Sequence, residues 1–390
     1  MVEMIDTHVN RKEHDNIKWQ VLKDDASLLP MTIADMDIAT PKFIRDALQT
    51  VLDDKVLGYT APSDAFYQSI IAWEQGHHAV TLTPEQIILM PGVVTGLSLA
   101  VRRLTQRGDQ VIVMAPYYPP YEQVVTDNGR KMVKLSLVQR EGQYVIDFDR
   151  LATLMSDPIT RAIIVCNPQN PGGRVWTNAE LQRITELASQ HKVFILADEI
   201  HDDTTFSDAY PVSMLSDLMG PEAAEQTVLL KSATKAFNLA GVKASYLATK
   251  NPRLLAVLKR AATAEQLEEL NTFGLVSTQV AYEQGAEWLA EVNQYLEENR
   301  NLAYAYINEH IPRIKPMYPE ATYLMWLDFM AYGVTDKQLD QALREKGHLC
   351  LNPGIDYGEE GHGFMRLNFA VDRDVLKEAL HRLQVFDRDM

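Results

Sequence analysis

Short apolar runs recur through the middle of the chain, at QIILM (86–90), QVIVM (110–114), AIIVC (162–166), VFILA (193–197), TVLL (227–230) and SYLAT (245–249). A strand with one wet face alternates apolar and polar residues. These runs are apolar at successive positions, which predicts strands covered on both faces. The stretches between them carry helical spacing. TNAE (177–180) is a capping box, in which Thr177 accepts from a free backbone N–H and Glu180 reaches back to the cap; Leu181, Ile184, Leu187 and Ala188 then share one face. Strands alternating with helices predict an α/β fold with a mainly parallel sheet covered by helices.

Beyond residue 285 the pattern changes. From Ala286 to His310, Leu289, Val292, Leu296, Ala303 and Ile307 keep helical spacing, which predicts a helix long enough to bridge two domains. ATYLMWLDF (321–329) and GFMRLNFA (363–370) read as strands of a smaller α+β domain, and VLKEALHRLQVF (375–386) as its closing helix. The first 45 or so residues have no clear period and are expected to pack with the C-terminal part. The organisation expected is a small domain of residues 1–45 with 286–390 and a large domain of residues 46–285.

Composition agrees with this division, because 390 residues exceed what one hydrophobic core usually supports. A net charge of −16 argues against binding nucleic acid or docking on an acidic membrane, both of which need a basic face. Cys166 and Cys350, the two cysteines, provide neither a disulfide framework nor a zinc ligand set. The opening MVEMIDTHVNRKEHDNIKWQ is charged and lacks the apolar run of a signal peptide, and no run approaches the length of a membrane span. A reducing cytoplasm is the location expected.

In open α/β sheets, ligands bind beyond the carboxyl ends of the strands, so the residues after each run are the chemical candidates. After QIILM, Pro91 and Gly92 make a turn and a helix begins near Val93. Free N–H groups on Val93 and Val94, with the Thr95 hydroxyl, suit an anion, though an ordinary strand-to-helix turn looks the same. After QVIVM, APYYPPY offers tyrosine rings that stack on a flat ligand or simply edge a proline-rich turn. After AIIVC, prolines and glycines shape the loop NPQNPGGRVW, in which Asn170 supplies an amide donor for a phenolate or carbonyl oxygen.

After VFILA, DEIHDD begins with Asp198. A carboxylate buried there needs a cationic partner such as a protonated ring nitrogen, and His201 is placed to support it. Asp198, His201 and Asp202 are also metal-ligand types, but nothing else in the chain completes a recognisable ligand pattern, and no metal is expected. After TVLL, KSATKAFNLAG holds Ser232, suited to a phosphate oxygen, and two lysines, Lys231 and Lys235. A lysine taken out of water loses pKa and becomes a nucleophile, and Lys235 is the candidate; a solvated turn is the ordinary place for lysine. An anion cradle, a stacking ring, an amide for a phenolate, an acid for a ring nitrogen and a lysine for an aldehyde are together the parts that pyridoxal 5'-phosphate requires.

With NPQNPGG, ADEIH and SATKAFNLAG in this order and spacing, the chain from about residue 28 onward resembles the fold-type I pyridoxal-phosphate enzymes of the class I/II aminotransferase superfamily. The resemblance implies a large domain on a mainly parallel seven-stranded sheet, a small α+β domain formed by both chain ends, and a homodimer with shared active sites. It gives Lys235 as the Schiff-base lysine, Asp198 as the partner of the pyridine nitrogen and Asn170 as the amide facing the ring hydroxyl. Tyr118 is the stacking ring, and Val93, Val94 and Ser232 fall in the phosphate cradle. Tyr59 in GYT matches a tyrosine that reaches the phosphate from the partner subunit. Arg366 in FMRLNFA matches the arginine that binds the substrate α-carboxylate, a group suited to its planar fork. At two cofactor positions the chain departs from many aspartate aminotransferases: His201 stands where they have tyrosine, and Lys243 where they have arginine.

TIADMDIATP (32–41), DEIH, KAFNLAG, ATYLMWLD and NPGIDYGEEGHGFMRLN (352–368) are similar to the cystathionine β-lyase subfamily, which includes a maltose-regulon modulator and other C–S lyases. This narrower likeness implies a carbon–sulfur β-lyase acting on a small sulfur-containing amino acid. Cystathionine or a related S-substituted cysteine would yield a thiol, pyruvate and ammonia. The alternative is an aminotransferase that moves an amino group to a 2-oxo acid. A purely regulatory role, through contact with a transcription factor, has no surface signature in the residues.

Overall fold

The computed structural model of the protein describes residues 5–12, 15–54 and 56–390; residues 1–4 and 13–14 of the expected small domain, and residue 55 of the large one, lie outside the described residues. The apolar runs form strands of a seven-stranded sheet: β1 (Ile87–Met90), β2 (Gln110–Ala115), β3 (Lys131–Ser136), β4 (Thr160–Cys166), β5 (Phe194–Asp198), β6 (Thr227–Lys231) and β7 (Ser245–Ala248). Their order is β1-β7-β6-β5-β4-β2-β3. Neighbours are parallel except at β7, which runs antiparallel to both β1 and β6.

Two hydrophobic cores explain why the runs are continuous. Successive residues of a strand point to opposite faces. Ile163 and Val165 of β4, Ile195 and Ala197 of β5 and Leu229 of β6 enter one core, while Ile164, Leu196, Val228 and Leu230 enter the other. β3 escaped the sequence reading because its faces are only partly covered. Its Lys131 and Ser136 are exposed and Leu135 alone is fully buried, so KMVKLS shows no unbroken apolar run.

The helices that bear on function are α1 (Asp64–His78), α2 (Val93–Leu104), α3 (Asn178–His191), α4 (Ala286–His310) and α5 (Arg373–Asp389). α3 starts at the predicted capping box: Glu180 N–H donates to Thr177 Oγ1 at 3.2 Å and Thr177 N–H to Glu180 Oε2 at 2.7 Å. α4 has the predicted bounds, and its Leu289, Val292, Leu296, Ala303 and Ile307 are buried.

A second sheet of four antiparallel strands follows α4: β8 (Lys315–Pro316), β9 (Leu324–Asp328), β10 (Asn352–Pro353) and β11 (Phe364–Asn368), in the order β8-β9-β11-β10. The N-terminal segment joins this part of the chain. Leu29–Pro30 pairs in parallel with Leu349–Cys350, and Asp37 N–H donates to Ala370 O at 2.8 Å. Asn368 Nδ2, at the end of β11, donates to Ile33 O at 2.6 Å and Asp35 O at 2.7 Å, which fixes the loop around Ala34. Among the described residues, no helix is long and apolar enough to cross a membrane.

Candidate active site

A cleft of about 380 Å³ lies beyond the carboxyl ends of the central strands. That is within the range of small-ligand pockets. The structure brings eight of the predicted residues to it: Val93, Val94, Tyr118, Asn170, Asp198, His201, Ser232 and Lys235. They come together because they stand at or just after the carboxyl ends of five strands of one sheet, β1, β2, β4, β5 and β6.

The wall at β1 is the start of α2. Gly92 has φ +129°, a conformation glycine adopts freely, and its N–H donates to Ser245 Oγ at 3.1 Å. The first helical bond runs from Gly96 N–H to Gly92 O. Val93, Val94 and Thr95 therefore present N–H groups without intrahelical acceptors at the cleft. Lys243, at φ +48°, and Thr234 add a positive charge and a hydroxyl to the same cleft. Ser232 lines it too, but its hydroxyl donates to Ala244 O at 2.6 Å and accepts from Thr234 N–H at 3.1 Å, which braces the loop itself.

Asp198 is the last residue of β5 and is buried. Its Oδ2 accepts from the Tyr121 hydroxyl at 2.7 Å and its Oδ1 from Ile200 N–H at 3.3 Å. Burial pushes its carboxyl above the ordinary range, with the two donors pulling the other way. The expected support from His201 is not what holds it. His201 makes no hydrogen bond to Asp198, its Nδ1 has no partner among the described residues, and burial pushes its imidazole well below the usual pKa. Tyr121 takes that place, from the helix that follows Tyr118. The sequence signal for it was the spacing YPPY, which puts the two rings on one side of a turn with centroids 5.6 Å apart.

The two lysines of KSATK separate. Lys231 ends β6, is 1% exposed, and has its Nζ 2.8 Å from both Glu74 Oε1 and Asp202 Oδ2. Burial works against its charge, yet Asp202 and Glu74 outweigh it and hold its pKa well above that of a free lysine. Lys235 is partly buried in the cleft, and its Nζ donates to Ala34 O at 2.5 Å. Withdrawal from water, with the nearby charge of Arg366 second, lowers its pKa to about 8. Ala34 was not singled out in the sequence, because only the tertiary anchoring by Asn368 brings its carbonyl to Lys235.

Arg366 lies in β11 with 4% exposure, not on the surface, opposite Asn352 in β10. Its Nη1 donates to Asn170 Oδ1 at 3.1 Å and its Nη2 to Asn352 Oδ1 at 2.9 Å. Arg366 Nε is buried without an acceptor among the described residues. Asn170 spends its oxygen on Arg366, which leaves its amide nitrogen to donate. Tyr59 is not brought to the cleft of its own chain. It is fully exposed, beside a surface depression that Leu57 and Thr272 also line.

Comparison with known proteins places this geometry among relatives. Residues 27–383 match the family model for aminotransferase class I and II. The chain is 38% identical to cystathionine beta-lyase PatB of Bacillus subtilis (strain 168), over 97% of this chain and 98% of the relative. It is 30% identical to protein MalY of Escherichia coli (strain K12), over 93% of each. Among solved structures, cystalysin from Treponema denticola, which contains a pyridoxal 5'-phosphate cofactor, superimposes with a TM-score of 0.94 at 29% identity, over 98% of each chain. The PLP-bound C-S lyase from Staphylococcus hominis gives 0.89 at 26% identity, over 97% of each.

Proposed function

The chain belongs to the aminotransferase class I and II family, and we propose that it is a pyridoxal-phosphate-dependent carbon–sulfur β-lyase that cleaves cystathionine or related S-substituted cysteines to a thiol, pyruvate and ammonia. One observation carries the cofactor reading: a lysine amine with a pKa lowered to about 8 shares a cleft with a buried carboxylate and a row of free helix-start amides.

The residues present fit the cofactor. Val93, Val94 and Thr95 offer amides to its phosphate, and Lys243 supplies a cation close by. Tyr118 offers a ring face, Asn170 an amide donor for the ring hydroxyl, and His201 a neutral imidazole. Bound pyridoxal phosphate supplies an aldehyde that captures amino groups and a ring that withdraws electrons. Asp198, oriented by Tyr121 and Ile200, keeps a proton on the pyridine nitrogen. Arg366 binds the substrate α-carboxylate, and its buried, unpartnered Nε is the observation that a further acceptor belongs there. Lys235, once its amine is free, removes the α-proton as general base. Its pKa leaves it partly unprotonated near neutrality. Transamination, the alternative, uses the same residues up to proton removal, so the choice of elimination rests on the relatives.

The same reading takes residues 1–45 with 286–390 as the small domain and 46–285 as the large one. It also pairs two chains, with Tyr59 of each reaching the phosphate of the other. Exposed Val56, Leu57 and Tyr59, which a lone chain leaves in water, support it. Two free, buried cysteines suit a reducing cytoplasm. The deciding experiment is incubation with L-cystathionine. Pyruvate and free thiol in equal amounts are expected; amino transfer to a keto acid without pyruvate would overturn elimination.

A further inference from the structure

Lys231, which does not line the cleft, belongs to a second cluster. Glu74 and His78 lie one turn apart at the end of α1, and Asp202 and Asp203 follow His201 in the chain. His78 Nε2 is 2.8 Å from Asp203 Oδ1, and His78 Nδ1 is 3.2 Å from Asp202 Oδ2; the three side chains are 3–4% exposed. Trp73 Nε1 donates to the same Asp203 oxygen at 3.0 Å. One ligand atom from each of His78, Asp202 and Asp203 falls within 4.8 Å of the other two.

We propose that His78, Asp202 and Asp203 form a site for one divalent cation of the zinc class, separate from the cofactor cleft. Besides the cluster itself, unsatisfied groups point to a ligand. Among the described residues, Asp202 Oδ1 has no donor although it is withdrawn from solvent. His78 Nδ1 and Asp202 Oδ2 are at ion-pair distance but are not aligned as a hydrogen bond. Asn293 Oδ1 also lacks a donor, while its Nδ2 donates to Asp203 O at 2.8 Å. A buried carboxylate oxygen without a partner is costly, and a cation satisfies it. Lys231 occupies Oδ2 of Asp202 and leaves Oδ1 for the ion.

An imidazole with two carboxylates suits Zn(II), Mn(II) or Co(II) better than the all-oxygen preference of Ca(II). A groove lined by His78, Asp202, Asp203, Asn293 and Glu297 gives the ion a way in. Asp202 appeared in the sequence beside His201 and Asp198 as a ligand type. The structure divides that set: His201 and Asp198 line the cleft, while Asp202 lines the groove and meets His78 from far upstream. The bound ion would tie α1 to the loop that follows Asp198 and carries His201.

The test uses holoprotein stripped of metal with a chelator. It is titrated with ZnCl2 by calorimetry and with CoCl2 by visible ligand-field absorption. One ion per chain is expected. His78→Ala and Asp203→Asn should each weaken binding by about 100-fold or more, since loss of an outer-shell partner alone costs 10–100-fold. If either variant fails to fold, anomalous scattering from wild-type crystals soaked in ZnCl2 decides, with the peak expected within bonding distance of His78, Asp202 and Asp203. No saturable binding, binding intact in both folded variants, or an anomalous peak elsewhere would each overturn the site.

Discussion

Two lysines four positions apart in KSATK end in opposite electrical surroundings. Lys231 sits between two carboxylates, and Lys235 faces a carbonyl with Arg366 close by. Below its pKa of about 8, the Lys235 amine is protonated and has no lone pair to attack an aldehyde; above it the amine is free. The rate at which cofactor-free protein takes up pyridoxal phosphate should therefore rise with pH, with a midpoint near 8, and then level off. A midpoint near the ordinary lysine value of about 10.4 would contradict the assigned surroundings. Borohydride should fix the cofactor on Lys235, and peptide mapping that found it on Lys231 would remove the assignment. Lys231→Met should instead act on stability. It strands Glu74 and Asp202 without their cation, at a cost of about 3–5 kcal/mol in urea unfolding.

Arg366 gives the substrate-side prediction. Arg366→Lys keeps the charge but loses the planar fork. kcat/KM should fall for cystathionine and for a short S-alkyl cysteine alike, by about 1.5–3 kcal/mol for a lost charge-assisted hydrogen bond. A loss confined to cystathionine would move Arg366 to the distal end of the substrate. The residues whose placement in the cleft was legible in advance are those positioned by a local motif, such as Asp198 at a strand end or Lys235 after one. Tyr121, Ala34 and Asn352 were not singled out. The YPPY spacing sets Tyr121 beside Tyr118, but which atom the fold lays beside Asp198, Lys235 or Arg366 is decided by tertiary packing.

At the scale of elements, periodicity carried most of the fold. Runs with apolar residues at successive positions were legible because both faces of β4, β5 and β6 are covered. β3 was not, because its faces are only partly covered and Leu135 is its one fully buried residue. Caps were legible as well, and they make a clean test. Thr177→Ala removes the oxygen that Glu180 N–H meets at 3.2 Å, and should cost about 1 kcal/mol of unfolding free energy. Thr177 does not line the cleft, so turnover per folded molecule should be unchanged. Gly92→Ala is the contrasting case. A Cβ there meets no atom within 4 Å, so any defect comes from φ +129° alone. The start of α2 should shift and cofactor retention should weaken, read as faster dissociation of pyridoxal phosphate in a dialysis or spectral chase. Unaltered retention would mean that the amides of Val93 and Val94 do not hold the phosphate.

For the whole molecule, the placement of Tyr59 decides how a site is completed. It is the one predicted cofactor residue that does not line its own chain's cleft, and it is fully exposed next to exposed Val56 and Leu57. Burying apolar surface of this kind against a second copy is favourable at roughly 25 cal/mol per Å² before the costs of association. If the partner subunit supplies the Tyr59 hydroxyl, Tyr59→Phe should weaken cofactor retention without changing the fold. Hybrids of Tyr59→Phe and Lys235→Ala chains separate the two arrangements. Each parent has a defect in both of its sites. In a hybrid assembled in trans, the site with an intact Lys235 receives Tyr59 from the Lys235→Ala chain and is whole. The other site combines both defects. Turnover per hybrid should then reach about half that of the wild-type dimer, with wild-type cofactor affinity at the working site. Assembly in cis would leave the only lysine-bearing site with phenylalanine at 59, and it would show the Tyr59→Phe defect unchanged. That second result, or a single-chain mass in sedimentation at micromolar concentration, would mean that one chain builds its site without a partner.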